Sequence, residues 1–167
     1  MGKVFQFPGK RTVSANSRQI IVIELAGKKF GVYTDQVAEI ISADTPLKKI
    51  QTAPQWIEGV VVIRGHYIPI INYFLLHNIQ SEPNERNKIL ILNINNSYIG
   101  FIIGDILSEI AMIEPEVSLP GVEKWPFFVD RIVPLKNQQV GIINIDSLLS
   151  QADNEEIFKC RKFLGCL

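Results

Sequence analysis

Two short apolar runs, separated by one small break, place the strongest constraint on the fold of this chain. Residues 60–63 read Val-Val-Val-Ile, and a second apolar run covers residues 67–71. Short runs of β-branched residues around a Gly-containing break predict a β-hairpin with two largely buried strands. Gly65 supplies the positive φ of a tight connection, which places Arg64 at the hairpin tip. A side chain held there suits recognition of a partner better than catalysis.

The composition limits the class of protein. A chain of 167 residues is most simply one domain, and its 47% hydrophobic content excludes general disorder. Lys and Arg together number 17, as do Asp and Glu, so the net charge is zero. A nucleic-acid-binding protein normally needs a basic face, so this balance argues against such a partner.

Short strand patterns recur along the whole chain. Strands are predicted at residues 19–26, 29–33, 37–41, 60–63, 67–71, 88–94, 98–103, 106–113, 129–135 and 139–145. Brief helices are predicted at 73–78, capped by Asn72, and at 147–151, capped by Asp146. Many short strands with little helical periodicity predict an all-β fold built as a pair of barrels. The predicted core comprises Ile21, Ile23, Phe30, Val32, Val61, Ile63, Ile68, Ile70, Leu90, Leu92, Phe101 and Ile143.

Polar segments suggest a division of the chain into parts. Residues 1–17, basic and interrupted by Pro8-Gly9, are predicted to be a mobile tail, and residues 18–151 form the domain. The polar stretch 80–87 predicts a linker between lobe one, about residues 19–79, and lobe two, about residues 88–146. Residues 152–167 show near-helical apolar spacing and predict an amphipathic extension, which packs on the core or reaches a neighbouring molecule.

Patterns that carry enzyme chemistry do not stand out. His66 and His77 have no Cys or carboxylate at metal-ligand spacing. No serine lies in a nucleophile elbow, and no glycine-rich loop precedes a lysine, as a phosphate-binding loop would require. Asp105 and Glu109 are interpreted as structural carboxylates. The sequence therefore predicts a protein that is not an enzyme and that has no catalytic residues, no cofactor and no metal.

Cysteine placement and hydropathy predict a cytoplasmic protein without direct membrane insertion. Cys160 and Cys166 are the two cysteines, and both lie within the last eight residues, which suits neither a disulfide framework nor a zinc site. The N-terminus lacks a signal-peptide core. Residues 89–113 are apolar but interrupted by polar residues, so they are interpreted as three strands around turns.

Four segments in order resemble the CheW-like coupling proteins of bacterial chemotaxis. Residues 59–72 read G-V-x-x-x-R-G-x-x-I-P-I-I-N, similar to the family pattern G-V-I-N-L-R-G-x-I-V-P-V-I-D-L. Residues 30–41, 99–105 and 148–149 are similar to three further family segments. Val62, Ile63 and Asn72 depart from the usual residues, and Gly104 adds one position before Asp105. The resemblance implies an all-β fold of two SH3-like five-stranded β-barrel subdomains with short helices.

The resemblance also implies a function. It implies a non-enzymatic scaffold or adaptor that couples the cytoplasmic tip of a chemoreceptor to the regulatory domain of a CheA-type histidine kinase, in receptor arrays at the inner membrane. Val37, Glu39, Gly59 and Arg64 match family positions tied to these partners. The alternatives are a β-barrel module that binds nucleic acid or another protein outside chemotaxis, and a small hydrolase.

Two of these residues have a structural interpretation as well. Glu39 lies between aliphatic neighbours, either as a charge that protects an edge strand from aggregation or as a recognition carboxylate. Arg64 either binds a carboxylate of a partner or pairs with Glu39 within the first barrel. The sequence leaves both pairs of alternatives open.

Overall fold

The computed structural model describes residues 17–77, 88–104, 106–114 and 117–163. Two α-helices, α1 and α2, accompany ten strands, numbered β1 to β10 along the chain. The strands are Arg18–Leu25, Lys28–Tyr33, Val37–Ser42, Ile57–Ile63, His66–Ile71, Lys88–Ile94, Ser97–Ile103, Ile106–Ile113, Val129–Leu135 and Gln138–Ile143. The helices are α1, Tyr73–Leu76, and α2, Gln151–Phe163. The predicted mobile tail, apart from Ser17, lies outside the described residues.

The strands form two five-stranded sheets, which confirms the predicted all-β fold class. The terminal sheet has the order β8-β1-β2-β10-β9, and the central sheet has the order β3-β6-β7-β5-β4. The predicted lobes therefore need a correction, because β1 and β2 belong to one sheet with β8 to β10, whereas β6 and β7 belong to one sheet with β3 to β5. The predicted linker, residues 80–87, lies outside the described residues, and the strands before and after it belong to one sheet.

The physical reason for this correction is a long-range strand pairing. β5 and β7 are parallel neighbours, with Ile70 opposite Gly100 and Ile71 opposite Phe101. Parallel strands need a crossover, and a polar stretch of sequence indicates a loop without telling which strands it joins. The chain changes sheets after β2, across the 3-10 turn Thr34–Gln36, and again between β7 and β8.

Each sheet curls around its own apolar cluster. In the terminal sheet, Ile113 of edge strand β8 and Val133 of edge strand β9 belong to one cluster. In the central sheet, Ile41 of edge strand β3 packs on the cluster that contains Val61 of edge strand β4. Two edges that share a cluster require a strongly curved sheet, which is the barrel-like closure predicted for each lobe.

A third and larger cluster lies between the two sheets and joins them. It takes side chains from β1 and β2 of the terminal sheet, from β4 to β7 of the central sheet, and from both helices. All predicted core residues are buried except Ile21 and Ile63, which are partly buried and pack against clusters. α2 contributes Ile157 and Cys160 to this shared core, so the C-terminal extension packs on the domain along these residues.

The helix starts are set by side-chain caps. The Asn72 side chain accepts a hydrogen bond from the Leu75 backbone N–H at 3.1 Å, so the predicted cap of α1 is confirmed. The predicted helix at 147–151 is wrong, because a short 3-10 turn ends at Ser147 and α2 begins only at Gln151. Ser150 and Asp153 exchange reciprocal hydrogen bonds at 2.9 and 3.1 Å, a capping box that fixes this later start.

Candidate functional site

The tip of the β4–β5 hairpin presents Arg64 to solvent. Arg64 and Gly65 have φ values of +50° and +79°, which match a type I′ turn with two left-handed central residues. The predicted positive φ at Gly65 is thus confirmed, and Arg64 shares it. The Arg64 side chain is 77% exposed. The turn type fixes the direction of the backbone, so the Arg64 side chain extends from a rigid turn.

Arg64 forms an ion pair with Glu39 of β3. The Arg64 Nη1 atom donates a hydrogen bond to Glu39 Oε2 at 3.1 Å. The Glu39 side chain is 31% exposed, so water reaches both partners. An ion pair of this exposure contributes about 0–1 kcal/mol to stability. The intramolecular pairing proposed from the sequence is present, and its small energy leaves Arg64 available for exchange with a partner's carboxylate.

A cavity of about 310 Å³ surrounds this pair, and we call it the Glu39–Arg64 groove. Its floor is apolar, with Ile63, Ile68 and Ile91, and its rim is polar. Two predicted site residues, Glu39 and Arg64, line the rim, and the third, Val37, lines the groove while packing against the shared core. The rim also contains Asp35, His66, Asn93 and Tyr98.

His66 and Tyr98 form the side of the groove next to Arg64. Their rings lie 5.1 Å apart at an angle of 75°, an edge-to-face arrangement. Arg161 of α2 donates a hydrogen bond to the Tyr98 backbone carbonyl at 2.7 Å. The groove is therefore built by the 3-10 turn, all five strands of the central sheet and a contact from α2. Sequence reasoning did not assign Asp35, His66 or Tyr98 to the site, because only the pairing of distant strands brings them there.

Gly59, the fourth predicted site residue, does not line the groove. It is buried in β4, where a Cβ atom would lie 2.8 Å from the Lys48 carbonyl oxygen and 2.9 Å from Leu47 Cβ. Lys48 and Val60 exchange two backbone hydrogen bonds of 2.8 Å beside it. Gly59 thus permits the close approach of residues 47–48 to the edge of the central sheet. A partner contact at Gly59 stays a prediction.

We expect Gly59→Ala to lower the free energy of unfolding by about 2–3 kcal/mol, at the upper end of overpacking costs, because the new Cβ would meet the Lys48 backbone and because a φ of +156° at Gly59 disfavours a side chain. Denaturant unfolding measures this loss. The control is Gly65→Asn, because Asn96 and Asn137 occupy the same turn position in two sister hairpins with φ of +65° and +61°. Equal stability of wild type and Gly59→Ala would contradict the close approach.

A row of exposed apolar side chains follows two edge strands, and we call it the apolar seam. Ile40 of β3, and Ile110 and Met112 of β8, are 37%, 50% and 38% exposed. Gln19 of β1 connects the two regions, because it is paired with Met112 and its side chain accepts a 3.3 Å hydrogen bond from Thr34, three residues before β3. The sequence signal is the alternation of apolar residues in both strands, which sequence reasoning did not use to assign a site.

Three groups with shifted pKa values lie outside the groove: Tyr73 and Cys160 in the shared core, and His77 against the Tyr73 ring. Burial raises the pKa of Tyr73 and of Cys160, and burial lowers the pKa of His77 although Asp153 opposes that change. None of these groups lines the Glu39–Arg64 groove. Within the described part of the chain, no group of three or more His, Cys, Asp or Glu residues is arranged to hold a metal ion.

Comparisons with known proteins match these features. The family model of the CheW-like domain matches residues 19–153. A probable chemotaxis protein CheW of Rhizobium etli is 22% identical over 150 residues, which cover 87% of this chain and 96% of that protein. The chemotaxis protein CheW of Treponema pallidum is 28% identical over 107 residues, 61% of this chain and 62% of that protein.

A solved structure shows the same fold. The crystal structure of the scaffolding protein TtCheW from Thermoanaerobacter tengcongensis superposes with a TM-score of 0.68 at 24% sequence identity. The match covers 86% of this chain and 94% of that one. Together with the family match over residues 19–153, it establishes that this chain belongs to the CheW-like domain family.

Proposed function

We propose that this protein is a non-enzymatic coupling adaptor of a bacterial two-component chemosensory system. In this proposal it connects the cytoplasmic tip of a chemoreceptor to the regulatory domain of a CheA-type histidine kinase. Membership of the CheW-like family and the chemotaxis and scaffolding names of its relatives support the assignment. The observation that carries it at the level of residues is the exposed, rigidly based Arg64 beside an apolar-floored groove.

The apolar seam is the proposed docking surface for a helical receptor tip. An amphipathic helix binds a groove through apolar side chains on one of its faces. Ile110 and Met112 alternate along β8, and Ile40 lies on β3 across the seam, so apolar contacts are available on both sides. Covering these exposed side chains removes apolar surface from water, which contributes favourably at about 25 cal/mol per Å².

The Glu39–Arg64 groove adds polar selection to the contacts of this proposed surface. A partner carboxylate that approaches Arg64 replaces an ion pair of low net value, so the exchange costs little on the adaptor side. A guanidinium forms two parallel hydrogen bonds with a carboxylate, which is stronger and more directional than one ammonium contact. Partner binding through Val37, Glu39, Gly59 and Arg64 belongs to this proposal.

Attachment to receptor arrays at the inner membrane takes place, in this proposal, through the partners. In the described residues no helix is long and apolar enough to cross a membrane. Receptor and kinase would then hold the adaptor at the membrane surface through protein contacts alone.

A pull-down with a receptor signalling domain and a kinase regulatory domain, each tested separately, examines the function directly. We expect this protein to retain both domains, and the Arg64→Glu variant to retain less of at least one of them. Retention of neither domain by the wild-type protein would end the adaptor assignment.

A further inference from the structure

A second cavity of about 500 Å³ lies at one end of the terminal sheet. It is bounded by the β1–β2 turn, the start of β10 and the segment around the 3-10 turn Val122–Lys124. Three lysines line it, Lys28, Lys29 and Lys124, together with Gln138 and Gln139. Among the described residues that line it, none is a carboxylate. We call this cavity the lysine cleft.

The lysine charges are concentrated here although the whole chain is neutral. Glu24 is opposite Lys29 in the strand register, and Glu123 precedes Lys124, but neither acid lines the cleft. Lys29 also donates a hydrogen bond to the Gln138 side-chain oxygen. Lys28 and Lys124 therefore offer the least compensated positive charge to a ligand. A concave site lined by one sign of charge attracts ligands of the opposite sign.

Trp125 forms the wall of the lysine cleft and is held in place on several sides. It packs edge-to-face on Phe30 with ring centroids 5.6 Å apart, and the Lys28 Nζ atom lies 5.1 Å from its ring centroid. A Cβ atom on Gly141 would lie 2.6 Å from Trp125 Cε3, so the indole closely covers that glycine. The wall is rigid, and the Lys28 ammonium already occupies the position of a cation–π partner.

This geometry selects among anionic ligands. Binding of a nucleobase relies on an aromatic face for stacking, but Lys28 already lies over the Trp125 ring. The lining contains lysines and glutamine amides, and no arginine fork for two-point phosphate recognition. Lysine ammonium groups at the start of β2 and on the 3-10 turn, together with side-chain amides, instead suit several carboxylates and backbone groups spaced along an extended chain.

The lysine cleft and the Glu39–Arg64 groove lie at opposite ends of β1. Arg18, at the start of β1, forms a 2.9 Å ion pair with Asp35 of the groove, whereas the cleft begins at Gly27, just after the strand ends. The seven residue-to-residue steps of the eight-residue strand β1 separate the two by about 23 Å, at about 3.3 Å per step. A ligand in one site leaves the other accessible.

We propose that the lysine cleft binds an acidic, extended peptide segment of a protein partner, at the same time as the groove is occupied. The inference rests on the proposed adaptor function, because an adaptor needs two surfaces that work together. The cleft supplies a second surface with a chemistry different from that of the apolar seam: it is charged and sensitive to salt.

Trp125 provides a reporter for the test. In a Trp56→Phe background, Trp125 is the remaining tryptophan, and its fluorescence is titrated with a peptide of alternating glutamate and glycine. We expect a saturable change that weakens with added salt, and about tenfold weaker binding for the double variant Lys28→Gln and Lys124→Gln, from the loss of two exposed charge contacts. The matched control, Lys49→Gln with Lys162→Gln, removes two exposed charges elsewhere and is expected to bind as the background does.

If the peptide binds, three results would still overturn the proposal. They are equal weakening by both double variants, equal binding of the matching glutamine–glycine peptide, and equal or tighter binding of a single-stranded oligonucleotide at the same salt concentration. Loss of peptide binding with receptor and kinase retention intact would refute the cleft and leave the adaptor function standing. Peptide binding without retention of either domain would support the cleft and end the adaptor assignment.

Discussion

Phe30→Ala is expected to lower the free energy of unfolding by about 3–5 kcal/mol, the usual cost of truncating a buried phenylalanine. Phe30 is 2% exposed and lies in the cluster between the two sheets. Its ring contacts Trp125 and Phe128, both with centroids 5.6 Å away. The variant therefore leaves a cavity in the shared core and also removes two aromatic contacts, each worth about 0.5–1.5 kcal/mol beyond area burial.

Phe158→Ala is the matched control for this loss. Phe158 lies on α2 and is 56% exposed, so the same truncation there leaves no enclosed cavity and changes stability by less than about 1 kcal/mol. Because both sheets contribute to the cluster that holds Phe30, we expect one cooperative denaturant transition in both proteins. Two separate transitions, or a loss below that of Phe158→Ala, would contradict a core shared by the two sheets.

Local features of the fold were predictable from the sequence. The β4–β5 hairpin follows from two β-branched runs around Gly65, and the register pairs Val61 with Ile68 as a simple hairpin requires. Asn72 caps α1 as expected from its position after an apolar strand. Each of these features depends on residues less than about a dozen positions apart, where turn chemistry and periodicity act directly.

Features that depend on distant pairing were not predictable. The order of strands in the central sheet rests on the parallel contact of β5 with β7, for which no local pattern exists. The groove unites Asp35, His66 and Tyr98 from three separated segments, so its rim could be listed only after the strands were placed. Gly59 is the opposite case. Its position in a family motif identified the residue, but the close approach of Lys48 that it permits could not be predicted.

Arg64→Glu is expected to leave thermal stability nearly unchanged and to weaken partner association by about 2 kcal/mol or more, the threshold of an interface hot spot. Arg64 is 77% exposed, and its pair with Glu39 contributes only about 0–1 kcal/mol to stability. In the proposed complex the same guanidinium is desolvated beside a carboxylate of the partner, and the reversed charge of the variant would repel that carboxylate. Thermal melting and titration calorimetry with the receptor and kinase domains measure the two effects separately.

Two further variants identify the cause of such a loss. Lys159→Glu is the control, because Lys159 is 69% exposed and pairs with Glu156 at 3.2 Å, a situation similar to that of Arg64, and neither of these residues lines the groove. The charge swap Glu39→Arg with Arg64→Glu rebuilds the internal pair with reversed polarity. If the partner reads the guanidinium at the hairpin tip, the swap restores the ion pair and still fails to restore association. Full recovery of association in the swap would show instead that the internal pair, and with it the shape of the groove, is what the partner requires.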